Sequence, residues 1–537
     1  MELGKLTLKQ KIGQLFICGF DSLTPNEHIR TLLQRYEVGG VIYFRRNIES
    51  VKQLAALSHG LQQLAKEVSK VPLFVSIDQE GGMVARLDHE GMSRIPGNMA
   101  LGAANDPQLT TEVAALAAKE MQALGINLNF APCVDVNNNP ANPVIGVRSF
   151  GENPEHVAVH GAAAIRGYQE NGVSATAKHF PGHGDTAVDS HLGLAVVPHD
   201  KERLRQIELV PFKKAIEAEV DAIMTAHVIF PAFEPDEIPA TLSRRVLTDL
   251  LREELGFNGL IVTDCLEMQA ISKHFGVKEG AVRAIEAGAD LVLVSHTLSE
   301  QIAAIEYVYE AVESGRLSEE RIDASVQRIL ALKEKRIGNP AGVTAQEQDA
   351  LPFPLTPEYE SEALLRRVAE SSVTLVRDSG NLPLEQDKPV LVIWPELRHR
   401  TEVDEPSVHQ YTLADALRPL HAETVLATIG TRPSESEVKA VLEQSSAYEQ
   451  IVVITYTAEG QIPEGQKALV RQLALTGGKR LIVASTRNPY DINAFPEVNT
   501  YLCLYENRQF ALEALAKVLI GKLHPQGISP VSFDYMN

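Results

Sequence analysis

Apolar runs of five to seven residues, rich in Val, Ile, Leu and Phe, alternate with amphipathic stretches of helical period from the start of the chain. The runs at residues 14–20, 40–44, 72–78, 127–132, 175–180, 222–228, 259–264 and 291–295 read as strands, and the segments between them as helices. Eight strand–helix units in series predict a (β/α)8 barrel of the TIM type, although a doubly wound sheet shares this alternation. A charged helix over 322–336 closes the unit. Residues 337–357 are rich in Pro, Gly and Gln and carry no period, so a linker is expected there, running to residue 365. A second alternation follows, with strands at 374–376, 390–394, 425–429, 451–455, 481–485 and 501–504 and helices such as 435–443 and 466–475 between them. That order predicts an α/β/α sandwich. The expected organisation is a catalytic barrel over 1–336, a linker over 337–365 and a sandwich domain over 366–537.

A length of 537 residues agrees with more than one core. The net charge of −20 argues against nucleic acid or an anionic membrane as partner. The four cysteines, Cys18, Cys133, Cys265 and Cys503, lie far apart, which predicts reduced, mostly buried thiols rather than a disulfide framework or a zinc site. The N-terminal residues show no basic segment followed by a long apolar one, and no run of about 18 apolar residues occurs. A cytoplasmic location is expected.

The polar residues that end the predicted strands change the picture. Asp78 ends VPLFVSID, Lys178 and His179 end SATAKHF, His227 ends AIMTAH, and Asp264 ends LIVTD. Arg148 lies in GVRSFG, in the loop after the 127–132 strand. A barrel of this type builds its active site at the C-terminal strand ends. One charge at a strand end is as readily a solvated terminus or a rim ion pair. Five strands delivering such groups to one rim read as a site, because each unpaired charge there costs stability.

The densest feature is the stretch 178–191, KHFPGHGDTAVDSH, with three His, two Asp and one Lys. Its Pro and two Gly stop a helix and place it on a loop. Two readings stand. His179, His183, Asp185, Asp189 and His191 are all possible metal ligands, as in a metal-dependent barrel hydrolase, but Lys178 beside them repels a cation. Alternatively, Asp189 and His191, two residues apart, form a dyad. The carboxylate fixes the imidazole tautomer and raises its pKa, making a general acid/base near neutral pH. Ser190 belongs to no nucleophile-elbow GxSxG.

The segment KHFPGHGDT followed by DSH resembles the signature of the β-N-acetylglucosaminidase branch of family-3 glycoside hydrolases. IDQEGGMVARL, NFAPCVDVNNNPANPVIGVRSFG, TAHVIFP, LIVTDCLEM and AIEAGADLVLVS resemble further family segments, in family order. The resemblance implies a (β/α)8 barrel followed by an α/β/α sandwich, and no cofactor or metal. It implies Asp264 as catalytic nucleophile, His191 as acid/base and Asp189 as its partner. It implies Asp78, Arg86, Arg148, Lys178 and His179 as sugar-binding residues. His227 is expected either to line the pocket or to cap its strand. Cys265 after the nucleophile and Met83 after DQEGG depart from the family pattern.

The implied activity is a retaining, exo-acting β-N-acetylglucosaminidase that removes terminal GlcNAc from muropeptide fragments through a glycosyl-Asp intermediate. A His in place of the second carboxylate leaves a less negative site, so an anionic acceptor is repelled less, and phosphorolysis is the alternative activity. A non-catalytic sugar-binding protein is the alternative of another kind, and the Asp264–His191 pair speaks against it.

Overall fold

The computed structural model describes residues 3–187, 193–338, 352–396, 411–458 and 460–534. Eight parallel strands close into a barrel: β1 (Phe16–Cys18), β2 (Gly40–Tyr43), β3 (Phe74–Ile77), β4 (Leu128–Asn129), β5 (Ser174–Phe180), β6 (Ala222–Thr225), β7 (Leu260–Cys265) and β8 (Leu291–Val294). Each strand pairs with its neighbours in sequence, and β1 pairs with β8 to complete the ring. The strands are buried on both faces, as a barrel inside a ring of helices requires, and this explains their continuous apolar runs.

The strands form where the sequence pattern puts them, but several are shorter. The run at 14–20 yields only β1, because Leu8–Gln14 is a helix whose N-cap Thr7 forms a capping box with Gln10. The run at 127–132 yields only β4, since Pro132 lacks the N–H that a ladder needs. The helices start where the sequence caps them: Asp106 then Pro107, Asn153 then Pro154, and Ser318. Lys333, on the last barrel helix (Glu319–Arg336), is fully buried and donates to Gln14 Oε1 and Gly39 O, both at 2.7 Å, tying that helix to the strand starts.

The second unit is a six-stranded sheet of β9 (Thr374–Arg377), β10 (Val390–Glu396), β11 (Thr424–Gly430), β12 (Gln450–Thr455), β13 (Arg480–Ser485) and β14 (Tyr501–Cys503). The strand order is β9–β14–β13–β12–β10–β11, with β9 antiparallel to β14 and the rest parallel. Alternate residues face two cores. Leu391, Ile393, Ile451 and Val453 meet the helices Glu435–Ser445 and Glu464–Leu475. Val390, Val392, Val452 and Ile454 meet Leu413–Leu417 and Gln509–Leu519. The chain is thus a TIM-type barrel followed by an α/β/α sandwich.

Of the expected linker, residues 339–351 lie outside the described residues. Its end is already structured: the helix Glu358–Ser372 buries Leu365 and Val368 in the barrel core and Ala369 in the sandwich core. Met99, Ala100, Ala103 and Val147 of the barrel join the other sandwich core, so the two units share apolar contact. Among the described residues no helix is long and apolar enough to cross a membrane.

Candidate active site

A cavity of about 320 Å3 opens at the C-terminal ends of the barrel strands. Its walls include Asp78, Arg86, Arg148, Lys178, His179 and Asp264, so six of the nine expected site residues converge on one space. Asp189 and His191 lie outside the described residues. His227 is placed differently from a pocket residue. It is 1% exposed and does not line the cavity. Its Nδ1 lies 2.8 Å from Thr241 Oγ1 and its Nε2 donates to Cys265 O at 3.0 Å. That bond fixes the peptide just beyond Asp264, which is a strand-capping position.

Asp264 sits near the end of β7, where the pairing register with β8 shifts between Val262 and Cys265. Such bulges turn a side chain out of the regular alternation. Its Oδ1 accepts the Cys265 N–H at 2.7 Å. Cys265 also lines the cavity, and burial pushes its thiol up to about 12, so it stays protonated at neutral pH.

The opposite wall is a chain of alternating charges. Lys178 Nζ lies 2.8 Å from Asp78 Oδ1 and 2.7 Å from Glu80 Oε1. Arg148 binds Glu80 with both arms of its fork, Nε to Oε2 at 3.0 Å and Nη2 to Oε1 at 2.8 Å. Arg86 Nη2 stands 4.0 Å from Asp78 Oδ2. Burial by itself raises the Glu80 carboxyl, but Arg148 and then Lys178 outweigh it and hold it well below its usual range. Burial likewise lowers the Lys178 ammonium, yet Asp78 and Glu80 outweigh that and hold it above its usual value. Glu80, Arg148 and Lys178 therefore stay charged at neutral pH. Asp78 presents acceptors and Lys178 and the two Arg present donors, a set suited to sugar hydroxyls.

His179 is set by a residue that sequence reasoning missed. Asp135 is fully buried, and its Oδ2 lies 2.7 Å from His179 Nδ1. Asp135 also accepts the His183 backbone N–H at 2.6 Å. Burial raises this carboxyl, but His179 outweighs it and brings it to about 2, so it acts only as an acceptor. The proton therefore sits on Nδ1, and Nε2 faces Arg148 Nη2 at 3.4 Å. Glu80, in DQEGG, was missed as well. Its position two residues beyond a strand-end Asp was the available signal. Asp135, in PCVDVN, had none beyond following a strand.

The His/Asp loop has firm feet. Asn142 Nδ2 donates to His183 O at 2.9 Å and Gly184 O at 2.8 Å, and Asn139 Nδ2 donates to Thr186 O at 3.2 Å. His199 Nε2 holds Asp185 at 2.6 Å. Beyond the loop, Ala195–Val196 pairs with Val228–Ile229. His183 is buried with its Nδ1 3.0 Å from Thr186 Oγ1, and burial, followed by the neighbouring His179 ring, lowers it to about 4.

Among the described residues, two groups bring potential metal-ligating atoms within 4.8 Å of one another: Cys133, Asp135 and His179, and Cys265, Glu267 and His296. In the first, the carboxylate is spent on His179 and on backbone amides. In the second, Glu267 accepts the His296 and Thr297 N–H groups, and Arg46 stands 3.1 Å from His296 Nδ1, where a guanidinium opposes a cation.

Comparison with known proteins agrees with this geometry. Residues 7–332 match the glycosyl hydrolase family 3 N-terminal domain and residues 372–536 the glycosyl hydrolase family 3 C-terminal domain. A beta-hexosaminidase A from Pseudoalteromonas piscicida is 33% identical, the match covering 99% of this chain and 98% of the relative. A beta-hexosaminidase from Stenotrophomonas maltophilia is 41% identical over 51% of this chain and 80% of its own length. The solved structure of a family 3 beta-N-acetylglucosaminidase from Paenibacillus sp. str. FPU-7 superposes with a TM-score of 0.93 at 52% identity, covering 98% of this chain and 99% of that one. The chain belongs to glycosyl hydrolase family 3. It is a glycoside hydrolase built on the two-domain form of that family.

Proposed function

We propose that this chain is a retaining, exo-acting β-N-acetylglucosaminidase that releases terminal β-linked GlcNAc from muropeptide fragments. The observation that carries the reading is the cavity itself, in which one carboxylate, Asp264, faces a fixed array of hydroxyl-binding charges. The names of the relatives at 33% and 52% identity support the choice of amino sugar. Asp78, Lys178, Arg86, Arg148 and His179 hold the sugar.

Asp264 attacks the anomeric carbon as the bond to the leaving oxygen breaks, forming a glycosyl ester. His191, protonated and paired with Asp189, gives its proton to that oxygen. In the second step water attacks the same carbon, His191 takes its proton, and the ester bond breaks. Two inversions leave the configuration unchanged. The bonds that hold the loop at 183–186 and at 195–196 support this role, because a general acid must return to one place at each turnover.

The test is turnover of chromogenic β-GlcNAc and β-Glc substrates by the purified chain, with and without millimolar phosphate and with a chelator. Release of free GlcNAc, unaffected by the chelator, is expected. GlcNAc 1-phosphate as main product favours phosphorolysis, and chelator-sensitive activity restored by zinc overturns the metal-independent reading.

A further inference from the structure

Every described residue that lines the sugar cavity lies between 42 and 296, so the sandwich domain gives that cavity no described side chain. Its contact with the site is indirect. Asp78 leads into a short hairpin, Gln79–Gly81 with Val84–Ala85, whose first strand carries Glu80 and whose second is followed by Arg86. The sandwich domain grips the turn of that hairpin. Arg508 Nη2 donates to Gly82 O at 2.5 Å, and Arg508 Nη1 stands 3.5 Å from Asp88 Oδ1. Gly82 has a left-handed φ of 56° and touches Gly97 so closely that a Cβ on it would sit 2.7 Å from the Gly97 Cα. Gly97 in turn donates its N–H to Glu506 Oε2 at 2.9 Å.

Two neighbouring side chains of one domain thus hold two touching glycines of the other. The gripping residues are themselves fixed. Glu506 is 9% exposed and the Arg508 side chain 14%. Arg508 is the N-cap of the helix Gln509–Leu519, which packs into the sandwich core. The barrel holds the foot of the hairpin, where Gln79 exchanges two hydrogen bonds of 3.0 Å with Asn129, and Ile95 O accepts the Gly82 N–H at 3.0 Å; the Arg508 and Glu506 contacts add a second hold on its turn from the sandwich side.

We propose that Arg508, with Glu506, is a positioning pair through which the sandwich domain sets the hairpin and so places Asp78 and Glu80 in the sugar cavity. The inference rests on the reading that this cavity binds the sugar. Without the guanidinium, the Gly82 carbonyl and the Asp88 carboxylate lose their shared donor, and Asp78 loses its register with Lys178. Lysine cannot replace it, since one ammonium does not span both acceptors as a planar fork does.

The experiment compares the full chain with its Arg508→Ala and Arg508→Lys variants. Arg508→Lys keeps the charge and the stem, so it retains the fold where alanine fails to. Arg367→Ala removes a different interdomain ion pair, to Glu112 on the barrel helix Pro107–Ala123, and serves as the control. In both Arg508 variants, KM and the inhibition constant of free GlcNAc rise together by about tenfold, while kcat stays within about threefold. Added guanidinium ion restores part of the loss in Arg508→Ala. Arg367→Ala leaves all three constants unchanged. Wild-type binding in Arg508→Lys, or a loss that Arg367→Ala shares and guanidinium does not relieve, overturns the proposal. If the wild type cleaves aryl glucosides but not β-GlcNAc, the sugar assignment fails, and the same ratios on the aryl glucoside still decide the role of Arg508.

Discussion

Replacing Glu80 with Gln removes the charge at the centre of the wall while keeping its volume. Glu80 is 4% exposed and bridges two cations that are themselves buried, Arg148 at 7% and Lys178 at 2%. Breaking a buried ion pair from one side costs about 3–5 kcal/mol, because the remaining charge loses its compensation without regaining water. Glutamine keeps one acceptor for the Arg148 fork, so the low end, about 3 kcal/mol, applies here. For a unit of this size that lowers the melting midpoint by about 4 °C. The pH dependence has a definite sign. The folded carboxyl is held below its unfolded value, so its contribution is complete above about pH 5 and fades as pH falls towards the folded value. The gap between wild type and variant is therefore widest near neutrality and narrows below about pH 4. Lys178, left with Asp78 alone, shifts its partner within the cavity, and a displacement of that kind costs about a hundredfold in kcat/KM. Thermal melts at pH 7.5 and pH 4, with kinetics on an aryl β-GlcNAc, measure all three effects. A variant that melts within about 2 °C of wild type at neutral pH, or a gap that stays constant into acid, refutes the reasoning.

His191→Ala is expected to slow natural sugar leaving groups at least about a hundredfold more than activated aryl ones, which need no proton; equal losses in a two-substrate comparison count against His191 as the acid. Asp189→Asn should move the alkaline limb of the rate profile to lower pH, since loss of the carboxylate lowers the histidine pKa, and an unmoved limb shows Asp189 to be structural. Asp135→Asn offers a donor where His179 Nδ1 already carries its proton. It should raise KM roughly tenfold through the flipped tautomer and speed proteolysis of the 183–187 loop, which it also anchors. Wild-type KM together with wild-type proteolysis contradicts that role.

The two sheets were readable because their strands are short, continuous apolar runs separated by capped helices. What the pattern could not give was strand length. It does not register a competing cap such as Thr7, or the point where Pro132 ends a ladder. The helix at Glu358–Ser372 was hidden by the Pro- and Gly-rich stretch before it, although Leu365 and Ala369, one turn apart on it, are buried in different cores.

The candidate site was legible where a charge ends a strand, as at Asp78, Lys178 and Asp264. It was not legible where a residue acts across the fold. Asp135 reaches His179 over 44 positions of sequence, and Glu80 gains its role only when Arg148 folds back onto it over 68. His227 shows the converse. It ends a strand like the others, yet its ring is turned into the barrel wall and spent on Thr241 and Cys265.

The central claim is a covalent bond between Asp264 and the sugar. A fluorinated GlcNAc donor that forms the glycosyl-enzyme quickly and releases it slowly captures that species for peptide mass spectrometry. The account predicts a single sugar adduct on the peptide that contains Asp264, abolished in Asp264→Asn. An adduct on a different residue, or no adduct together with an inverted anomeric product, contradicts it.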